Sequence, residues 1–209
     1  RSRLIANVEV IGKTDDELKR AANSDLTGLT VEELLYTANL DGVSKEKIYT
    51  YVTQKYPNDY RGWNNLGAFY YQKGDKTKAV QAFNKAASVS SKAPEVSMNQ
   101  ALLSMADGNL SKAEQLLGNA AGSNSLGEAM GLLYLQKGDY NRAVQSFGDV
   151  KSNNAALSQI LTKNYNKAEQ TLKAVTQKDA TTYYLSAIVA ARTNNASGVA
   201  GNLKSALDM

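Results

Sequence analysis

The chain contains neither cysteine nor histidine. Those two absences together remove thiol nucleophiles, imidazole general bases, disulfides and Cys/His zinc sites. Proline is scarce, at 2 residues in 209, so little in the sequence interrupts a helix. Long apolar runs are missing: no stretch approaches the roughly 18 residues a membrane-spanning helix needs, and direct membrane insertion by this chain is not expected. Charge of one sign is not concentrated either. The 24 basic and 20 acidic side chains give a net charge of +4 and are interspersed, with no run of five like charges. No stripe pairs Arg or Lys with aromatics at intervals that would follow a phosphate backbone, so nucleic acid is not an expected partner.

What is present favours helix. Hydrophobic residues make up 43% and charged residues 21%, with Ala, Leu, Lys, Gln and Asn dominant. The stretch RGWNNLGAFYYQKGDKTKAVQAFNKA, residues 61–86, carries a spaced pattern. Counted from Tyr60 as the first position, Trp63, Leu66, Gly67 and Tyr70 are separated by three or four residues and share one helix face. Gly74-Asp75 marks a turn, and Ala79, Phe83 and Ala86 line a second helix. Small residues at Gly67 and Ala79 let two antiparallel helices touch, and the bulky ones fill the space around that contact.

This stretch resembles the tetratricopeptide (TPR) repeat. Weaker copies follow: Ala113, Leu117 and Ala120 after the turn Gly108-Asn109; Gly131, Tyr134, Gly138, Asp139, Ala143 and Phe147; Asn164, Ala168, Leu172 and Val175; and Tyr183, Ala187, Ala190, Val199, Leu203 and Ala206. The helix NNAALSQILTK must be short. Upstream, LTVEELLYTANL opens with a capping box from Thr30 to Glu33, and SKEKIYTYVTQKYPND ends at Tyr56-Pro57. Counting back one repeat from Tyr60 puts Tyr36, Tyr49 and Val52 at inward positions. The expected fold is all-α: a TPR-type solenoid of antiparallel helix pairs, with a short extended N-terminal segment left from a preceding domain. Residues 29–209 form about six pairs, at 29–59 (degenerate), 60–93, 94–123, 124–148, 149–179 and 180–209. Residues 1–28 combine an orphan strand over 3–11, which could pair with a copy of itself, with a short helix capped from Thr14 to Glu17.

VEVIGKTDDEL, then LTVEELLYTANL, then YPNDYRGWNNLG, resembles the junction in bacterial cell-envelope proteins where an OmpA-like domain leads into TPRs. That resemblance implies a longer protein associated with the outer membrane and facing the periplasm, with no biochemical activity attached to this region.

The TPR resemblance implies function on the face of the first helices, at repeat positions 2, 5, 9, 12 and 13. The candidate protein-binding residues are Arg61, Asn64, Tyr71, Gln72, Met98, Leu102, Met105, Glu128, Leu132, Gln136, Tyr184, Ile188 and Arg192. The Lys/Asn clamp of chaperone-tail-binding TPRs is absent, since Asn64, Ala68, Met98 and Leu102 occupy its places. Two readings stand. In one the face is a groove for a protein or peptide, with methionines and tyrosines as anchors. In the other the chain is a structural spacer or oligomerisation element whose groove is filled by its own side chains. No catalysis, cofactor or metal is expected; an enzyme would need a carboxylate pair such as Glu95 with Glu128. Asp15-Asp16-Glu17 opens a helix and complements its dipole, and GNAAGSNSLG lacks the ending of a phosphate loop.

Overall fold

A computed structural model describes residues 12–123 and 125–209. Among them every regular element is an α-helix, thirteen in number, and no strand occurs. The strand expected over residues 3–11 lies outside the described residues. The helices fall into two compact units, Arg1–Ser91 and Lys92–Met209, each with its own buried clusters.

The first unit holds α1 (Asp15–Asn23), α2 (Val31–Thr37), α3 (Lys45–Lys55), α4 (Tyr60–Gln72) and α5 (Lys76–Val89). Local signals fix the starts. Thr14 and Thr30 each close a reciprocal capping box, with Glu17 and Glu33, and Ser44 caps α3. Leu18, Ala22, Leu34, Ala38, Ile48 and Val52 form the core with Leu66 and Ala82. Tyr49 and Val52 are buried, but Tyr36 is 53% exposed, and its hydroxyl donates to Asp15 Oδ1 at 3.0 Å. The cause lies in the register of α2. A face carrying Tyr36 would also carry Glu32 and Glu33, whereas Leu34, Thr37 and Ala38 give an apolar stripe at helical spacing.

The second unit holds four hairpins: α6 (Pro94–Ala106) with α7 (Leu110–Gly118), α8 (Leu126–Gln136) with α9 (Tyr140–Phe147), α10 (Asn153–Leu161) with α11 (Tyr165–Ala174), and α12 (Ala180–Arg192) with α13 (Ala196–Leu207). Within this unit each first helix touches the second helix of the hairpin before it, and α6, α8, α10 and α12 form a row. As the sequence required, α10 is short, at 9 residues against 13 for α4, α6 and α12.

Five hairpins share one turn. In α4–α5 it is Lys73-Gly74-Asp75, and the other four also use three residues between helices. Gly74 takes φ +79°, a left-handed conformation that glycine enters without steric cost. Its N–H donates to Tyr71 O at 3.0 Å and that of Asp75 to Tyr70 O at 2.9 Å, satisfying the orphan carbonyls of α4. The Asp75 carboxylate then accepts from Lys78 N and caps α5. One residue thereby ends one helix and starts the next, and Asn109, Asp139, Asn164 and Asn195 repeat the arrangement. Gly108 and Gly138 match Gly74, but Lys163 at φ +62° and Asn194 at φ +58° hold the same conformation with a side chain.

The first and second helices of each hairpin meet at a pair of positions sixteen residues apart. A Cβ placed on Gly67 would lie 2.6 Å from the Phe83 ring, and one on Gly131 2.6 Å from the Phe147 ring. The other three hairpins hold Ala101 with Leu117, Ala156 with Leu172 and Ala187 with Leu203 at the same places. Glycine stands opposite phenylalanine, alanine opposite leucine.

Candidate functional site

The candidate residues lie on the first helices of the hairpins, and the structure sorts them by role. In the first unit the Asp59 carboxylate accepts from Arg61 N at the start of α4. The Arg61 guanidinium returns to that carboxylate through Nε (3.0 Å) and Nη2 (2.7 Å), and also grips both oxygens of Glu32 on α2 at 3.0 and 2.9 Å. Hydrogen bonds donated to these carboxylates, Asp59 foremost, hold the guanidinium well above its usual pKa, and the Arg61 contact holds Asp59 below the usual carboxylate value. Arg61 is therefore a brace between α2 and α4. Repeat spacing could not reveal this, because Glu32 lies 29 residues upstream. Asn64 is buried, whereas Tyr71 and Gln72 are exposed.

In the second unit Met98 and Met105 are only 6% and 4% exposed and belong to the core of α6–α8. Leu102, Leu132 and Ile188 are half-buried against neighbouring clusters. Glu128, Gln136, Tyr184 and Arg192 stand at the surface. Met98, Leu102, Met105 and Leu132 thus gather in one cluster of α6–α8, whereas Ile188 packs in another built from α10, α11 and α12. Asn153, at the start of α10, donates to Asp179, the cap of α12, at 3.0 Å.

A polar constellation at the junction of successive hairpins occurs once in each unit. Tyr70 OH donates to Glu46 Oε1 at 3.1 Å, Lys73 pairs with the same carboxylate at 3.5 Å, and Lys78 lies over the Tyr70 ring while pairing with Asp75. In the second unit Tyr134, Lys137, Glu114, Arg142 and Asp139 take the corresponding places, with Lys137 to Glu114 at 2.6 Å. The Lys137 hydrogen bond is the main reason that Glu114 titrates below the ordinary carboxylate value. These residues join one helix pair to the next.

Glu95 and Glu128 are both exposed. Among the described residues no cluster of three His, Cys, Asp or Glu side chains could hold a metal ion, and no helix is long and apolar enough to cross a membrane.

Comparison with known proteins agrees with this geometry. A tetratricopeptide repeat model matches residues 60–92 and a second matches residues 128–156. No curated protein matches the chain. Among solved structures, a tetratricopeptide repeat protein from Parabacteroides merdae is 17% identical, with a TM-score of 0.65 over 93% of this chain and 85% of that one. PilW, a type IV pilus biogenesis factor, is 13% identical, with a TM-score of 0.64 over 94% of this chain and 100% of that one. YrrB, a TPR protein with an unusual peptide-binding site, is 16% identical, with a TM-score of 0.51 over 77% and 91%. At such identities the likeness is one of fold. Residues 60–92 and 128–156 are tetratricopeptide repeats, set in an all-helical fold of the same kind.

Proposed function

We propose that the chain is a non-catalytic protein-interaction or scaffolding module, holding a protein or peptide segment against the first-helix faces of its repeats. TPRs generally serve protein–protein interaction. The observation that carries the reading is that two tyrosines on first helices stand out at the surface: Tyr71 is 41% and Tyr184 56% exposed. Gln72 flanks the first, and Arg192 with the half-buried Ile188 flanks the second. Tyrosine offers large contact area at low entropic cost, which suits a binding face. The unusual peptide-binding site of YrrB supports the same use of this fold. For location we propose the periplasmic side of the outer membrane, reached through parts of a longer protein; its support is the resemblance of the 8–18, 29–40 and 56–67 segments to OmpA-linked junctions.

A photo-crosslinking residue placed at Tyr71 and, separately, at Tyr184 tests the reading in cells fractionated into envelope and cytoplasm. Discrete protein adducts in the envelope fraction are expected from both, and none from the same residue at exposed Gln170 on α11. Identical adduct patterns from all three positions, or none from any, would overturn it. The burial of Met98 and Met105 favours one rival, a spacer or oligomerisation element with a filled face. That rival predicts self-association by light scattering and no hetero-adduct.

A further inference from the structure

We infer that the α4–α5 hairpin carries a second docking surface, shaped for an acidic amphipathic segment of another protein. None of the candidate residues above lines it. Trp63, Leu66 and Tyr70 of α4 and Ala82 of α5 line an open groove of about 730 Å³. That volume lies within the range of roughly 300–1,000 Å³ typical of ligand sites, so it can take a few anchor side chains from one face of a helix. Trp63 is half-buried, with its indole Nε1–H donating to Pro57 O at 3.0 Å. The ring is therefore fixed in place before any partner arrives, which lowers the ordering cost of binding.

Charge decides the occupant. Helix α5 carries Lys76, Lys78 and Lys85 and no acidic residue. Lys78 and Lys85 both line the groove. They are seven residues apart and so stand two turns from each other, about 10 Å, on one side of the helix. Lys78 already leans on Tyr70 and Asp75, but the Lys85 ammonium has no partner among the described residues. An amphipathic helix laid along α5, with carboxylates two turns apart beside its apolar anchors, satisfies both lysines and covers the floor. A continuous phosphate backbone fits less well, because Glu46 and Asp75 stand at the Tyr70 end. The groove is also not a general property of these hairpins. In α8–α9 the place of Trp63 is taken by Gly127, where even a Cβ would come 2.9 Å from the Ser146 carbonyl. The place of Lys85 is taken there by Asp149.

The chain's single tryptophan is the one in the groove, so its emission reports occupancy directly. The purified chain is titrated with three probes: a short synthetic helix bearing Leu and Phe on one face and Glu on its flanks, the same peptide with every Glu replaced by Lys, and a single-stranded oligonucleotide. The acidic peptide is expected to shift Trp63 emission saturably, with the Lys peptide and the oligonucleotide inert. Lys85→Glu, with an unchanged helical circular dichroism spectrum, is expected to weaken the acidic peptide about tenfold. Lys78→Gln should weaken it less, because Asp75 already engages that ammonium. Crosslinks from Tyr184 should survive Lys85→Glu, which separates failure of this surface from failure of the first-helix reading. Equal responses to acidic and basic peptides, a response to the oligonucleotide alone, or unchanged affinity in Lys85→Glu would each overturn the inference.

Discussion

Hairpins α8–α9 and α10–α11 follow one another in the chain and close the same helix contact by opposite means. In the first, Gly131 gives up its side chain and the Phe147 ring fills the gap. In the second, Ala156 and Leu172, both buried, share the space more evenly. The other three hairpins choose one of the two solutions: Gly67 with Phe83, or Ala101 with Leu117 and Ala187 with Leu203. What the fold specifies is the combined volume of two side chains, because interiors are close-packed and tolerate neither void nor overlap. The last hairpin is the most open of the five at this contact. Leu203 is 40% exposed and α13 has no buried residue.

The comparison can be broken most directly by removing the ring. Phe147→Ala should lower the unfolding free energy by about 3–5 kcal/mol, measured by urea titration. A loss below that of Leu172→Ala would refute the idea that the ring closes the contact. Gly131→Ala should cost about 1–3 kcal/mol through overpacking. Adding Phe147→Leu converts α8–α9 to the alanine–leucine solution, so the double variant should be more stable than Gly131→Ala alone. Strict additivity of the two losses would show that the volumes are not coupled.

The turns give a smaller contrast. Lys163 bears a left-handed backbone that Gly74, Gly108 and Gly138 adopt freely, so Lys163→Gly should raise stability by about 0.5–1 kcal/mol and Gly138→Ala lower it by a similar amount. A fall in melting temperature for Lys163→Gly would mean that its side chain contributes more than the strain costs. The smallest effect is electrostatic. Because the folded protein depresses the pKa of Glu114, its contribution is present above the unfolded value and lost as pH falls through the folded one. The wild type should melt above Glu114→Gln at about pH 6, and the difference should shrink as the pH is lowered through and below the ordinary glutamate value. It should stay below about 1 kcal/mol, since Glu114 and Lys137 are both partly exposed.

Much of this was legible in the sequence because it is local. The capping boxes at Thr14 and Thr30, the glycine turns and the Gly67–Phe83 spacing each follow from residues within one helix pair. Three features were hidden for physical reasons. The turns at Lys163 and Asn194 lack the glycine that advertises a left-handed residue. The register of α2 is set by Leu34, Thr37 and Ala38 against the core rather than by the distance back from Tyr60. Repeat spacing places Arg61 on the partner-facing side but does not show its bracing role, because one of its carboxylates comes from α2, which no repeat count links to α4. For the apolar candidates, periodicity gave the face but not its cover: Met98 and Met105 are core, whereas Ile188 is half-buried.

The three-residue turn has a consequence for how such a chain can change length. Asp75, Asn109, Asp139, Asn164 and Asn195 each serve two helices at once, so an inserted residue there would unfasten both ends together. The connections that leave a hairpin carry no such double duty, and there the chain is free to grow or shrink. Spacing between successive pairs accordingly drifts at those joints and in the helices themselves, while the tight corner keeps its size in all five hairpins. Lineages that lengthen or trim this molecule are expected to do so between hairpins, leaving the corner untouched.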